Sequence, residues 1–215
     1  VVNKTVSLIG ENRDNTIIDG NRIGTVLNVT ADNVSITGFT IQNSGIEWVY
    51  EMDSGILVQS SNNRIENNVI STNSAGIFLN LSDNNLITSN NVSNNRYGII
   101  LSNSRNNTIR SNNVLSNINR GIGLSHSSNN TLVSNDVFSN YFGIYFVNST
   151  ANIVFYNSIS MNEYGVRFEQ ESHNNTLCCN TINLNNWLAI LLESSNYTQI
   201  FHNNIINNTN QAHLY

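Results

Sequence analysis

The sequence predicts an all-β protein, a single-stranded right-handed parallel β-helix of about nine coils held together by Asn ladders. Three observations lead to this prediction. The motif N-x-[VI]-x-x-N occurs seven times in succession with spacings of 22 or 23 residues, and G-[IV]-x-[LVF] follows the first five of these. Within each unit, apolar and polar residues alternate over short stretches, which is the period of a β-strand. Asn, a residue typical of turns, supplies 46 of the 215 residues.

The first coils of the chain are degenerate. Residues 6–19 and 26–44 follow the strand pattern without the full motif, and an insertion at residues 45–54 makes the second coil too long for the repeat. Regular coils occupy residues 55–215. The first Asn of the motif falls at Asn68, Asn90, Asn112, Asn135, Asn157, Asn180 and Asn203. The second falls at Asn73, Asn95, Asn117, Asn140, Asn162, Asn185 and Asn208.

Each regular coil supplies three short strands and a few inward apolar residues. In one coil these are Ile99, Leu101, Ile109 and Val114, and two coils later they are Ile144, Phe146, Val154 and Ile159. The Asn residues stand at the bends between strands. Asn tolerates the backbone dihedrals of a bend, and its side chain both donates and accepts hydrogen bonds. We therefore expect equivalent Asn side chains to bond one another along a ladder.

Composition excludes several kinds of partner. Eight Arg, one Lys and a formal net charge of −5 leave no cationic stripe that could neutralise phosphates, so we expect no nucleic acid partner. No apolar run approaches the ~20 residues needed to cross a bilayer, so we expect no membrane insertion by this segment. We expect residues 1–215 to form one β-helix domain. Because the chain begins and ends inside the strand pattern, we expect it to be an excerpt of a longer polypeptide.

Two segments near the N-terminus and the repeated coil carry a resemblance to known proteins. KTVSLIGENRDNTIIDG, then ADNVSITGFTIQNSG, then coils of the form GI-x-L-x-x-S-x-NN-x-I-x-x-N resemble the parallel β-helix repeat domains of archaeal cell-surface and surface-layer-type proteins. The same repeat is found in NosD-type periplasmic copper-binding accessory proteins and in carbohydrate-binding and sugar-hydrolysing β-helices. The resemblance implies an extracellular location at the cell surface. It implies fold more strongly than function, since one fold hosts many functions.

The insertion is the largest departure from the repeat. It carries Glu47, Trp48, Tyr50, Glu51 and Asp53 in an otherwise uncharged part of the chain. One interpretation is structural, with Trp48 folding back as a lid over the neighbouring turns. A second is contact of Trp48 and Tyr50 with a ligand or partner. A third is metal binding or catalysis by the three carboxylates.

A second departure is a concentration of aromatic residues beside one strand of each coil. With Ile and Leu of G-I-x-L facing inward, the middle residue faces outward, and aromatic residues also occupy the turn before each Gly. We call this set the aromatic wall. It contains Phe78, Tyr97, Tyr141, Phe142, Tyr145, Tyr164 and Trp187. An exposed wall of this kind suits sugar rings or a packed neighbouring domain, and the plainer interpretation is ordinary strand residues that face outward.

Candidates for catalysis lie on the same side of the coil. Glu163 and Glu169 flank Arg167, and paired carboxylates are the machinery of many sugar-cleaving enzymes. The favoured interpretation is a structural and interaction module that binds carbohydrate or another envelope polymer, or neighbouring domains of the same polypeptide, along the wall. The alternative is a polysaccharide lyase or glycoside hydrolase. A second alternative, a NosD-like copper-site accessory role, lacks the Met or His cluster that a copper site needs. We expect no cofactor.

Overall fold

The computed structural model describes residues 1–46 and 52–215, and it confirms the right-handed parallel β-helix. These residues contain short β-strands and no helix, and the strands form three parallel sheets of nine strands each. Each coil contributes one strand to each sheet in turn. At about 4.8 Å between neighbouring strands, nine coils make a rod roughly 40 Å long.

The first sheet contains β1 (Ser7–Ile9), β4 (Ser35–Thr37), β7 (Arg64–Glu66), β10 (Leu86–Thr88), β13 (Thr108–Arg110), β16 (Thr131–Val133), β19 (Ile153–Phe155), β22 (Thr176–Cys178) and β25 (Gln199–Phe201). The second sheet contains β2 (Ile17–Asp19), β5 (Thr40–Gln42), β8 (Val69–Ser71), β11 (Asn91–Ser93), β14 (Asn113–Leu115), β17 (Asp136–Phe138), β20 (Ser158–Ser160), β23 (Thr181–Asn183) and β26 (Asn204–Ile206). The third sheet contains β3 (Leu27–Val29), β6 (Ser54–Val58), β9 (Ala75–Asn80), β12 (Tyr97–Ser102), β15 (Arg120–Ser125), β18 (Phe142–Val147), β21 (Tyr164–Glu169), β24 (Leu188–Leu192) and β27 (Asn210–Leu214).

The strand register places equivalent residues of successive coils next to one another. Ile99 of β12 pairs with Ile122 of β15, and Ile122 pairs with Ile144 of β18. All eight inward residues predicted from the sequence are fully buried. One continuous apolar column therefore fills the interior, and it holds the coils together through the burial of apolar side chains.

The two predicted Asn columns are buried ladders, as expected. The side-chain amide of Asn112 donates to Asn135 Oδ1 (3.1 Å) and to the carbonyl of Ile87 (2.9 Å). Its own Oδ1 accepts from the backbone and side-chain nitrogens of Asn90 (3.0 and 3.1 Å). Each such side chain uses its donors and its acceptor on neighbouring coils, which satisfies polar groups that burial would otherwise leave without partners.

A third Asn column, not predicted, lines the corner between the third and first sheets. It consists of Asn63, Asn85, Asn107, Asn130, Asn152 and Asn175. Buried Ser residues precede it by three positions in each coil, for example Ser104 before Asn107. Each of the three corners of the coil is therefore fastened by its own ladder.

The backbone bend does not fall on the ladder Asn, which corrects the expectation that Asn itself takes the unusual dihedrals. The residue just before it does: Ser111 has φ +52°, Ser116 +54° and Met161 +53°. A left-handed residue turns the chain sharply and leaves the next side chain pointing inward. The left-handed residue before each ladder Asn therefore positions the Asn side chain, and the role of that side chain is hydrogen bonding.

Candidate functional site

The outer face of the third sheet carries the predicted aromatic wall, but most of its middle row is buried. Phe78 and Tyr145 are only 9% and 8% exposed. Phe78 packs with Leu57 and Ile100, and Met52 and Tyr97 cover this cluster. The expectation of a fully exposed apolar row was therefore wrong for Phe78 and Tyr145, because outward side chains about 4.8 Å apart bury one another. These two residues act as an outer core.

Three wall residues at or just before the start of a third-sheet strand form a continuous ladder of rings, which we call the aromatic ladder: Tyr141, Tyr164 and Trp187. The ring centroids of Tyr141 and Tyr164 are 5.8 Å apart, and those of Tyr164 and Trp187 are 6.3 Å apart. Tyr141 is 47% exposed and Trp187 is 56% exposed, whereas Tyr164 is half-buried. The ladder runs along the rod axis at one ring per coil and presents ring surface to solvent.

A network of charged and aromatic groups lies next to the aromatic ladder. Arg167 pairs with Glu169 and, at 3.3 Å, with Glu193. The Tyr145 hydroxyl donates to Glu169, and the guanidinium of Arg120 lies 4.1 Å from the centroid of the Tyr145 ring. Two carboxylates therefore neutralise Arg167, and Arg120 is held over the Tyr145 ring.

The predicted pair of catalytic carboxylates is not formed. Glu163 lies just before β21 and Glu169 ends it, so about six extended residues, roughly 20 Å, separate their backbones. Carboxylate pairs that cleave glycosidic bonds stand about 5 to 9.5 Å apart. The structure brings Arg167 and Glu169 together and places Glu163 elsewhere, beside Tyr141.

Two depressions flank the aromatic ladder, the first at the corner between the second and third sheets and the second on the outer face of the third sheet. One, of about 450 Å³, is lined by Ile118, Tyr141, Met161, Glu163 and Asn186 among others. The second, of about 340 Å³, lies on the far side of Trp187 and includes Tyr164, Asn210 and His213. Exposed rings bordered by Asn, Glu and His side chains are a surface on which a hydroxyl-rich ligand finds both ring stacking and hydrogen bonds.

Part of the predicted site lies outside the described residues. This applies to Glu47, Trp48, Tyr50 and Glu51 of the insertion. Asp53 is described, and its carboxylate lies against Gly45. Over residues 1–46 and 52–215, no three His, Cys, Asp or Glu side chains form a group that could hold a metal ion. The same ranges contain no helix long and apolar enough to span a membrane.

Sequence reasoning missed a third cavity at the same corner. It measures about 340 Å³, and its lining includes Arg22, Ser74 and Arg96. Arg22 belongs to the first coil, and Ser74 and Arg96 belong to the third and fourth. No sequence motif joins residues so far apart. The only available signal was that Arg22 stands in a turn in a chain that has few charges.

Comparisons with known proteins agree with this architecture. A family model described as "Periplasmic copper-binding protein (NosD)" matches residues 9–187 and, in a second match, residues 139–215. A search of curated protein sequences gives no significant match.

Several solved structures share the fold at low identity. A mutant of the periplasmic alginate epimerase AlgG matches 98% of this chain and 65% of its own, with a TM-score of 0.69 and 18% identity. The Dettilon tailspike protein matches 90% of this chain and 45% of its own, with a TM-score of 0.73 and 15% identity. DFA-IIIase from Arthrobacter chlorophenolicus A6 without its lid matches 85% and 53%, with a TM-score of 0.61 and 15% identity. The chain thus spans less than two thirds of the length of each of these proteins.

Proposed function

The chain belongs to the family of periplasmic copper-binding proteins called NosD, whose model matches nearly its whole length, and starting from that membership we propose that it is a polysaccharide-binding module of the cell envelope. It works outside the cytoplasm as a structural and interaction unit of a surface or periplasmic protein. The aromatic ladder is the binding surface, and its ligand is a polysaccharide laid along the rod axis.

The single observation that carries this proposal is the regularly spaced row of Tyr141, Tyr164 and Trp187, in which Tyr141 and Trp187 are exposed and Tyr164 is half-buried. Large exposed rings in an ordered row are costly for a soluble protein unless they serve an interface. The faces of sugar rings are apolar and their edges carry hydroxyls, so a sugar stacked on a ring can also bond Glu163 or Asn186 nearby. The names of the structural relatives support the same ligand class, since they include an alginate epimerase and a tailspike protein.

Copper, which the family description names, finds no matching donor set in the described residues. Copper sites in proteins use clustered thiolate, thioether or imidazole ligands. Here no three His, Cys, Asp or Glu side chains come together among residues 1–46 and 52–215. Met52 packs in the outer core, five coils from the exposed Met161. We therefore assign no step of the function to copper.

The lyase or hydrolase alternative has less support than binding. Glu163 and Glu169 are too far apart to act as a pair, and Arg167 is occupied by Glu169 and Glu193. We propose binding without cleavage. Chain length of the polysaccharide, followed by size-exclusion chromatography after long incubation, is the direct check on this part of the proposal.

Affinity electrophoresis through gels containing laminarin, alginate, polygalacturonate or solubilised peptidoglycan tests the binding proposal. We expect retardation by at least one of these polymers. Trp187→Ala and Tyr141→Ala should each weaken that binding about tenfold, which is about 1.4 kcal/mol, because each removes one stacking surface. Tyr197→Ala is the matched control, since Tyr197 is an exposed aromatic residue at a different corner of the coil. Tryptophan emission of Trp48→Phe, which keeps Trp187 alone, should be quenched by the same polymer.

Two results would overturn the proposal. One is the absence of retardation and of quenching with every polymer in the panel. The other is retardation that Trp187→Ala, Tyr141→Ala and Tyr197→Ala leave equally strong, since binding would then lie off the aromatic ladder.

A further inference from the structure

The depression beside Tyr141 carries a negative charge that no neighbouring side chain offsets. It measures about 450 Å³, and Glu163 is the one charged side chain among the described residues that line it. Over residues 1–46 and 52–215, the half-buried Glu163 carboxylate has no ion pair and no hydrogen bond. A carboxylate in this state attracts a cationic group of a ligand.

Two Arg residues stand on nearby strands of the third sheet, and neither lines the depression. Arg167 pairs with Glu169 and Glu193. Arg120 is held over the Tyr145 ring, 4.1 Å from its centroid. The lining therefore presents a negative charge in a chain whose formal net charge is −5, which repels anionic ligands and attracts cationic ones.

The backbone fixes the place of Glu163 beside the aromatic ladder. Its nitrogen receives the carbonyl of Asn140 as acceptor at 3.1 Å, and its carbonyl accepts from the nitrogen of Trp187 at 2.9 Å. The nitrogen of Tyr164 donates to the carbonyl of Tyr141 at 2.9 Å. Glu163 therefore stands one coil after Tyr141 and one coil before Trp187. The face of an aromatic ring attracts a cation as well as the apolar face of a sugar.

Uncharged polar groups and apolar surface complete the lining. Ser116, Ser139 and Asn186 are exposed there, and Ile118 and Met161 are exposed apolar residues of the same lining. These residues come from four successive coils, the fifth to the eighth. Three steps of about 4.8 Å give a length of roughly 14 Å, which accommodates a short oligosaccharide.

We propose that this depression binds an amino sugar unit, with its ammonium group on Glu163, its ring stacked on Tyr141 and a hydroxyl bonded to Asn186. This inference rests on the proposed polysaccharide binding and narrows its ligand to polymers in which some amino groups are free and protonated. Polymers of uronate units should bind more weakly, because their carboxylates meet the carboxylate of Glu163.

The test compares two oligosaccharides that differ in charge, the tetramer of glucosamine and the same tetramer with every amino group acetylated. Each is titrated into the 15N-labelled full chain at about pH 6, where carboxylates and amines are both charged. The amide signals of Tyr141, Glu163 and Asn186 are followed. We expect the glucosamine tetramer to shift these signals with a Kd on the order of 1 mM or lower, and the acetylated tetramer to bind about tenfold more weakly.

A pair of variants assigns the preference to one carboxylate. Glu163→Gln should bring the two tetramers to similar affinity and leave the melting temperature unchanged, since the carboxylate has no partner to lose among the described residues. Glu171→Gln is the matched control, because Glu171 is an exposed carboxylate of the same coil at another corner, and it should keep the preference. Equal affinity of the parent for the two tetramers, or a preference that Glu163→Gln keeps in full, would overturn the inference.

Tetralysine distinguishes sugar recognition from plain charge attraction, since it carries ammonium groups and no sugar ring. We expect it to bind at least about tenfold more weakly than the glucosamine tetramer at the same signals. Tyr141→Ala should weaken the glucosamine tetramer and leave tetralysine unchanged. Tetralysine that binds as tightly as the glucosamine tetramer would also overturn the inference.

The two proposals fail separately. Glu163→Gln should leave retention on a neutral polymer intact, whereas Trp187→Ala should weaken it. Retention on neutral polymers without a preference for the amine would leave the aromatic ladder as the binding surface and remove the amino sugar site. A preference for the amine that Glu163→Gln abolishes, with no retention by any polymer, would leave that site and remove the ladder as a polymer surface.

Discussion

Some residues of this chain are fixed by the β-helix repeat, and others occupy positions that the repeat does not dictate. The Asn112 side chain donates two hydrogen bonds and accepts two, and these bonds join three successive coils. The residue is 1% exposed. Its recurrence every 22 or 23 residues made the column predictable. The left-handed residue before each ladder Asn was not predictable, because Ser111, Tyr156 and Leu184 all occupy that place and share no chemistry.

Asn112→Leu should lower the free energy of unfolding by about 3 kcal/mol, because it leaves the buried backbone N–H of Asn90 without its acceptor and removes the side-chain donor to the Ile87 carbonyl. Asn113→Leu is the matched control, since Asn113 is exposed on the adjacent position of β14. Urea unfolding of both variants measures the difference. Coincident midpoints would mean that the ladder contributes nothing to stability.

The Arg64–Glu66 pair on the first sheet predicts a small pH effect. The Arg64 guanidinium bonds Glu66 and holds the pKa of that carboxyl below its usual range. The resulting stability is present above the ordinary Glu pKa of about 4.3 and is lost as the pH falls through the lowered folded value. Because both side chains are partly exposed, we expect less than about 1 kcal/mol.

Carboxyl NMR titration of Glu66 in Arg64→Gln is the measurement. Its pKa should move back up toward the ordinary range, and the stability difference from the parent should vanish at acid pH. If the pKa of Glu66 is the same in Arg64→Gln as in the parent, the prediction is wrong and the lowered pKa comes from Arg110, which contributes more weakly to the same carboxyl.

At the scale of the strand, Gly98, which precedes the inward Ile99 of the third sheet, is required by space. A Cβ on Gly98 would lie 2.3 Å from the carbonyl oxygen of Gly121 and 2.9 Å from Val114 Cγ1. That carbonyl belongs to the next coil and cannot move without disturbing the sheet. The motif revealed the recurrence of this Gly, and the close approach of two backbones explains it.

Gly98→Ala should therefore cost about 2 to 3 kcal/mol, since the added methyl meets backbone. Gly123→Ala is the control on the outer face of the same sheet, where a Cβ would meet only the ends of the Ile100 and Arg120 side chains at 2.9 and 3.0 Å. Its cost should be below about 1 kcal/mol, because side-chain ends can shift. Equal urea midpoints for the two variants would contradict this distinction.

The candidate site was only partly predictable at this scale. Period-two alternation correctly gave Tyr145 as an outward residue, but exposure depends on what neighbouring strands place beside it. Arg120 covers Tyr145, whereas Trp187 remains uncovered. The spacing of charges in the sequence likewise suggested that Glu163 and Glu169 form a carboxylate pair. The length of β21 keeps the two residues apart.

For the molecule as a whole, each coil contacts its two neighbours, so stability accumulates from coil to coil rather than from one central core. The number of coils and the three sheets followed from the repeat alone. The Arg22 cavity did not, since it joins turns of different coils through residues that the repeat does not dictate.

In a protein that consists of residues 1–215 alone, the last coil should be less protected than the middle of the rod. Every residue of β25 and β27 is exposed, whereas four residues of β15 are buried. Amide hydrogens of β25–β27 should exchange at least about a hundredfold faster than those of β15, because opening an end coil breaks contacts on one side only. Hydrogen exchange followed by NMR measures these rates. Uniform protection along the chain would mean that the coils open as one unit.

The direction of the Asn ladders gives the rod an electrical polarity. In all three columns each Asn side chain donates to the Asn of the next coil and its oxygen accepts from the Asn of the previous coil, as from Asn90 to Asn112 and from Asn112 to Asn135. The amide dipoles are therefore parallel and add, with the positive end at the last coil and the negative end at the first. The two ends of the rod are electrically different, and an acidic group docking end-on gains attraction at the last coil that it lacks at the first.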